Sequence, residues 1–144
     1  MNSEAFRQLM LLGKKDKRFQ PLLPVLEQAV QLLIDSFDQG GRLFLCGNGG
    51  SAADCEHIAG ELLKGFQRNR PIAEADRKSV LARISRKDPF RDDSAYLENI
   101  EYMLKKLQQG LPAIPLVSQA AINSAIANDL GADYVYAQQV LALG

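Results

Sequence analysis

The chain has 144 residues, 47% of them apolar and 24% charged, with 17 basic and 17 acidic side chains and zero formal net charge. That length makes one domain at most with apolar content enough for a core, and the balanced charge leaves no footprint for nucleic acid or an anionic membrane. Two cysteines and no apolar N-terminal run lead us to expect neither a disulfide framework, a secretory signal nor a bilayer span, and a cytoplasmic location.

Residues 1–40 read as N-terminal helices. Ser3-Glu4-Ala5-Phe6 starts the first, with Phe6, Leu9, Met10 and Leu12 on one face before Gly13, and the run Lys14-Lys15-Asp16-Lys17-Arg18 reads as a solvated loop. Pro21 and Pro24 open a second helix whose Leu22, Val25, Leu26, Ala29, Leu32, Leu33 and Phe37 form a broad apolar stripe ending at Gly40-Gly41. So wide a stripe needs a covering surface, either its own sheet or another copy of the chain.

Residues 41–69 read as strand, loop and helix. Leu43-Phe44-Leu45 is a short apolar strand, followed by Cys46-Gly47-Asn48-Gly49-Gly50-Ser51 and a helical pattern. A glycine-rich turn opening a helix leaves several N–H groups without intrahelical partners at the positive end of the helix dipole, which attracts phosphate. Asn48 and Ser51 add side-chain donors. Such glycines also occur in plain connectors, and the following helix favours the functional reading. His57, the only histidine, and Glu61 lie at i and i+4 on one face, so that they can share a metal ion or set a base beside a substrate. Cys46 and Cys55 read as small buried side chains.

Residues 70–110 read as a helical insertion, with helices near 74–85 and 94–109 separated by Lys87-Asp88-Pro89-Phe90. In the second, Tyr96, Leu97, Ile100, Met103, Leu104 and Leu107 recur at helical spacing and indicate packing. Arg68, Arg70, Arg77, Lys78, Arg83, Arg86 and Lys87 are candidate phosphate contacts. In residues 111–144, Ala113-Ile114-Pro115-Leu116-Val117 reads as a strand with an edge or bulge at Pro115, followed by Ser118, a helix over 119–127, an Asn128-Asp129 corner and a helix over 134–143. Alternating strands and helices indicate an α/β fold, a parallel sheet flanked by helices with its site at the carboxyl ends of the strands. Two strands leave open edges, so the sheet is expected to lean on neighbouring chains.

The run from Cys46 to Glu61, with Leu116-Val117-Ser118 and Ala127-Asn128-Asp129-Leu130-Gly131, resembles the phosphoheptose isomerases (sedoheptulose 7-phosphate isomerases) of the sugar-isomerase, or SIS, fold. The likeness covers most of 20–67 and 111–144. It implies a Rossmann-like SIS sheet, isomerisation of sedoheptulose 7-phosphate to D-glycero-D-manno-heptose 7-phosphate, zinc as cofactor and a homo-oligomer, a tetramer. By the same resemblance Asn48, Gly49, Gly50 and Ser51 contact the sugar phosphate, His57 and Glu61 bind zinc, Glu61 also touches substrate and moves a proton, and Asn128 and Asp129 form a second substrate-contacting pair.

Two departures from the family qualify this. Family members continue past the position of Gly144 with a Ser/Thr-rich phosphate loop and with a Gln and a His that complete the metal site. The expectation is therefore an incomplete SIS domain, the N-terminal part of a longer protein, inactive by itself. The 70–110 insertion exceeds the brief connection of the shortest heptose enzymes and leaves the exact sugar open. Two other readings stand beside the isomerase. One is a non-catalytic SIS protein, a sugar-phosphate regulator or a scaffold like the relatives that bind the replication initiator. The other is a nucleotide-binding oxidoreductase, since Gly47-Asn48-Gly49-Gly50-Ser51-Ala52 meets a relaxed dinucleotide fingerprint; it needs a strand ending in an acid about 20 residues on, which Pro71-Ile72-Ala73-Glu74 does not resemble.

Overall fold

A computed structural model describes residues 3–87, 89–90 and 93–144 of the chain. Asp88 of the expected separator and the side chains of Arg86 and Lys87 lie outside the described residues. The chain divides into two compact units, Met1–Leu43 and Phe44–Gly144.

The first unit holds helix α1 (Ser3–Lys15), a 3₁₀ stretch (Lys17–Leu22) and helix α2 (Leu23–Asp38). The expected break at Gly13 does not occur. A Cβ there would lie 2.7 Å from Leu23 Cδ1, so glycine is kept for a close approach of α1 and α2 rather than for a turn. Lys14 and Lys15 accordingly form the last turn of α1, where positive charge favours the helix dipole. Asp16 caps the 3₁₀ stretch by accepting from Arg18 N–H at 2.9 Å. Pro24 stands in the first turn of α2, where its missing N–H removes nothing. At the other end Gly40, at φ 79°, lets Gly41 N–H reach back to Ser36 C=O at 2.7 Å, a Schellman-type stop.

Strand β1 (Leu43–Leu45) and strand β2 (Ala113–Pro115) form a two-stranded parallel sheet. Leu116 N–H continues the pairing by donating to Leu45 C=O at 2.9 Å. Successive N–H groups along a strand point to opposite sides, so Pro115 lacks its donor on the side away from β1 and the pair loses nothing. The strand ends at Pro115, two residues short of the expected end.

Helix α3 (Gly50–Leu63) packs on β2. Its buried residues are small, Cys55 and Ala59, and Ala113 and Leu116 are buried likewise. Small side chains let the helix axis approach the sheet, and Leu116, 1% exposed, contributes about 1.5–3 kcal/mol as a fully buried leucine. Helices α4 (Glu74–Lys87) and α5 (Ser94–Lys106) pack on each other as a hairpin. Asp93 caps α5 through Ala95 N–H at 2.9 Å and Tyr96 N–H at 3.2 Å. The hairpin leaves and rejoins the sheet layer at one seam. Gln109 N–H donates to Arg70 C=O at 2.7 Å, Gln108 Oε1 accepts from Gly65 N–H at 2.8 Å, and Leu111 N–H donates to Leu62 C=O at 2.8 Å. The Arg70 guanidinium caps the end of α3 by donating to the carbonyls of Leu62 and Lys64. Arg77 likewise donates to Ile72 C=O at 3.0 Å. Both of these candidate phosphate contacts are thus turned onto the backbone.

After β2 come helix α6 (Ala120–Asp129), a 3₁₀ turn (Ala132–Tyr134) and helix α7 (Val135–Leu143). Asn128 and Asp129 belong to the last turn of α6 rather than to a corner, and the stop falls at Gly131, at φ 118°, whose N–H reaches Ile126 C=O at 3.2 Å. The stretch a dinucleotide fold would need as its second strand contributes only an isolated bridge between Pro71 and Gln108 and then enters α4.

Candidate functional site

The Asn48 carbonyl accepts from Ser51 N–H at 3.1 Å, and Gly49 between them has φ 56° and ψ −124°. Those values define a type II′ turn, whose first central position takes glycine. Ala52 and Ala53 N–H then bond to Gly49 C=O at 3.1 and 3.4 Å, so the turn runs into α3 without a break. The amides of Ser51, Ala52 and Ala53 are therefore used by the chain, whereas Gly50 leads the helix, where no intrahelical acceptor exists. A Cβ at Gly49 or Gly50 would meet nothing within 4 Å. The backbone there is open for a ligand to approach. Gly47 is different, since a Cβ would lie 2.8 Å from the Ser51 Cβ.

The turn walls a cleft of about 510 Å³ at the carboxyl ends of both strands, with Gly47, Asn48, Gly49 and Ala52 from the turn and α3, Val117 after β2, Asn123 and Ala127 from α6, and Ala132, Val135 and Tyr136 beyond. Its side-chain polar groups are neutral. Tyr136 donates its hydroxyl to Gly47 C=O at 3.1 Å and lies 3.5 Å from Asn48 Oδ1. One helical turn further, Gln139 is 4% exposed and donates to Asn123 Oδ1 at 2.8 Å and to Val135 C=O at 3.0 Å. Asn123 Nδ2 in turn donates to Leu116 C=O at 3.2 Å. This set, Asn123, Tyr136 and Gln139, is absent from the sequence reading. Its one signal was Tyr136, Gln138 and Gln139 in a helix whose other residues are apolar, where a polar group that ends up buried is informative.

His57 and Glu61 both stand on α3 at the expected i, i+4 spacing. His57 is exposed, and Glu61 Oε2 sits 3.1 Å from Lys64 Nζ with its side chain 27% exposed. Neither is among the residues lining the cleft, and the helical rise from Gly50 to Glu61 is about 16 Å. Asn128 and Asp129 are exposed next to the cleft residue Ala127, with Asn128 Nδ2 donating to Asp129 Oδ1 at 3.0 Å. Asp129 ends α6, where a negative charge opposes the helix dipole. Among the described residues no group of three or more His, Cys, Asp or Glu side chains is placed to hold a metal ion. A catalytic zinc takes three protein ligands, one more than the expected pair of His57 and Glu61. Cys55 is buried as expected, but Cys46 is exposed, because the chain leaves the sheet at Leu45.

The model of the SIS domain family matches residues 17–110, a span that contains the glycine turn, His57 and Glu61. Over 130 residues the chain is 32% identical to a phosphoheptose isomerase of Roseiflexus sp. strain RS-1, covering 90% of this chain and 47% of that protein. It is 34% identical over 123 residues to a phosphoheptose isomerase of Thiobacillus denitrificans, covering 85% of this chain and 43% of that one. A phosphoheptose isomerase of Helicobacter pylori strain P12 is 31% identical over 128 residues, with 89% and 47% covered. The chain spans about half the length of the curated relatives it matches.

Proposed function

The chain belongs to the SIS domain family, and from that premise we propose that it is part of a sugar-phosphate isomerase, one that interconverts sedoheptulose 7-phosphate and D-glycero-D-manno-heptose 7-phosphate in the cytoplasm. The observation that carries the proposal is the type II′ turn at the strand ends, with backbone open at Gly49 and Gly50 beside a cleft of substrate size. In this reading Asn48, Gly49, Gly50 and Ser51 take the oxygens of the sugar phosphate by hydrogen bonds at the head of α3. Asn128 and Asp129 take sugar hydroxyls, which gives the carboxylate at the unfavourable end of α6 a purpose.

Aldose–ketose exchange removes a proton from the carbon beside the carbonyl and returns one to the neighbouring carbon, through an enediolate that needs a compensating positive charge. Glu61 is the proposed base. His57 and Glu61 would be two of the ligands of a zinc ion, which supplies that positive charge when bound. Glu61 lies outside the cleft lining of its own copy, which fits a site completed between copies. We therefore include a homo-oligomer, a tetramer, in the proposal. Its support is an exposed stripe on the first unit, Leu22, Val25, Ala29 and Leu32, at the alternating three and four spacing of a helix–helix seam, with Leu32 70% exposed.

A second reading, a SIS protein that binds sugar phosphate without chemistry, is favoured by one observation: among the described residues no carboxylate, imidazole or amine lines the cleft. One pair of experiments separates them. Because the chain corresponds to about half of its relatives, binding rather than turnover tests the site. Sedoheptulose 7-phosphate should shift the amide resonances of Asn48–Ser51, and the absence of any such shift refutes both readings. Metal analysis of the zinc-loaded protein then divides them: zinc lost on His57→Ala supports the isomerase, and sugar-phosphate binding indifferent to zinc supports the regulator.

A further inference from the structure

We propose that Tyr136 is a positioning residue for the glycine turn, its hydroxyl holding the Gly47–Asn48 peptide in the one orientation from which the type II′ turn starts. The proposal rests on the reading of the cleft as the sugar-phosphate site. Gly47, Gly49 and Gly50 give this segment more conformational freedom than any other stretch of the chain, and glycine loses that freedom only when something fixes it. The hydrogen bonds within the turn begin at Asn48 C=O, so they leave the preceding peptide unconstrained. Tyr136 supplies the constraint through its bond to Gly47 C=O at 3.1 Å. The peptide is planar, so pinning its oxygen also sets the direction of the Asn48 N–H.

A tyrosine hydroxyl has one proton and two acceptor lone pairs. With the proton given to Gly47, the oxygen can accept from the Asn48 side-chain amide, 3.5 Å away, once that amide is turned over, an assignment that heavy-atom positions leave free. One hydroxyl thereby restrains the backbone and side chain of the residue that begins the turn. The helix carrying it is itself fixed: Gln139, three residues on and buried, ties α7 to Asn123 and to the end of β2. A site whose supporting groups are rigid holds its ligand without an ordering cost at the moment of binding.

The test compares Tyr136→Phe with wild type, using Tyr134→Phe, an exposed ring, as control. The phenylalanine keeps the ring packing and removes only the oxygen. Amide hydrogen exchange at Asn48–Ser51 should accelerate several-fold in Tyr136→Phe, and its affinity for sedoheptulose 7-phosphate should fall by roughly five- to tenfold, the size of one neutral hydrogen bond. Exchange elsewhere should stay close to wild type, the melting temperature should fall by no more than the few degrees one hydrogen bond is worth, and Tyr134→Phe should change none of these. Equal affinity and equal exchange in Tyr136→Phe overturn the proposal while leaving the reading of the cleft intact. Acceleration spread over the whole of α7 and the sheet also overturns it, since that marks a purely structural role. A wild-type chain that does not bind the sugar phosphate refutes the reading of the cleft, and the positioning role with it.

Discussion

Gly49 and Gly50 are adjacent, both open on the side where a Cβ would stand, and differ in one respect: Gly49 has φ 56° and Gly50 does not have a positive φ. Gly49→Ala places an L side chain in a region of φ/ψ that only glycine adopts readily, at about 1–3 kcal/mol. Alanine also restricts the unfolded chain, which returns about 0.4–1 kcal/mol. The net expectation for Gly49→Ala is a loss of roughly 0.5–2 kcal/mol, and at about 3–4 °C per kcal/mol for a domain of this size the melting temperature falls by a few degrees. Gly50→Ala keeps the second term without the first. It adds a better helix former at the start of α3 and should stabilise by about 0.4–1 kcal/mol. Thermal unfolding followed by circular dichroism on both variants gives the comparison directly, with opposite signs expected at neighbouring positions. If both alanines shift the midpoint in the same direction and by the same amount, the turn is not type II′ and the derivation of the site from it fails.

Arg70→Met removes the donors that cap the carbonyls of Leu62 and Lys64 while keeping an apolar stem. It should lower the urea midpoint by an amount equivalent to roughly 1–2 kcal/mol, and an unchanged midpoint would show that water caps α3 equally well. The Asp16 carboxyl is held below its ordinary range by the Arg18 side chain first and the Arg18 backbone N–H second. A depressed carboxyl contributes stability above its unfolded-state value and loses it as pH falls through the folded one, so the cap on the 3₁₀ stretch should weaken only in acid below the usual aspartate range. An NMR titration of Asp16 should show a midpoint under the ordinary 3.8, moving up toward it in Arg18→Gln; a midpoint indifferent to that substitution would remove the ion pair as its cause.

What the sequence made legible was local. The order strand, glycine turn, helix over 43–63 follows from an apolar run, a cluster of glycines and a 3.6-residue pattern, all within a span where no distant partner is needed. The α4–α5 hairpin was legible for the same reason. Gly13 was misread because its purpose, room for Leu23, belongs to packing between two helices and not to the chain around it. Cys46 was misread because burial ends where the sheet does, and Leu43–Leu45 is only three residues long. The pairing behind the polar lining of the cleft was not legible, because Tyr136 meets a carbonyl 89 positions away and no periodicity encodes such a pairing. Arg70 resembled a phosphate ligand by charge alone. Its destination is the end of a helix that composition does not single out.

The seam at Arg70 and Gln109 has one more consequence. Because the chain comes back to its point of departure there, everything from Ile72 to Leu107 is a detour closed by a few backbone bonds, and widening or shortening such a detour costs little in closure entropy. Descendants of one ancestor can thus trade this stretch for a brief link or a larger module while the strands and the cleft stay in register. A chimera in which four or five flexible residues replace it should still present the same amide resonances at the head of α3.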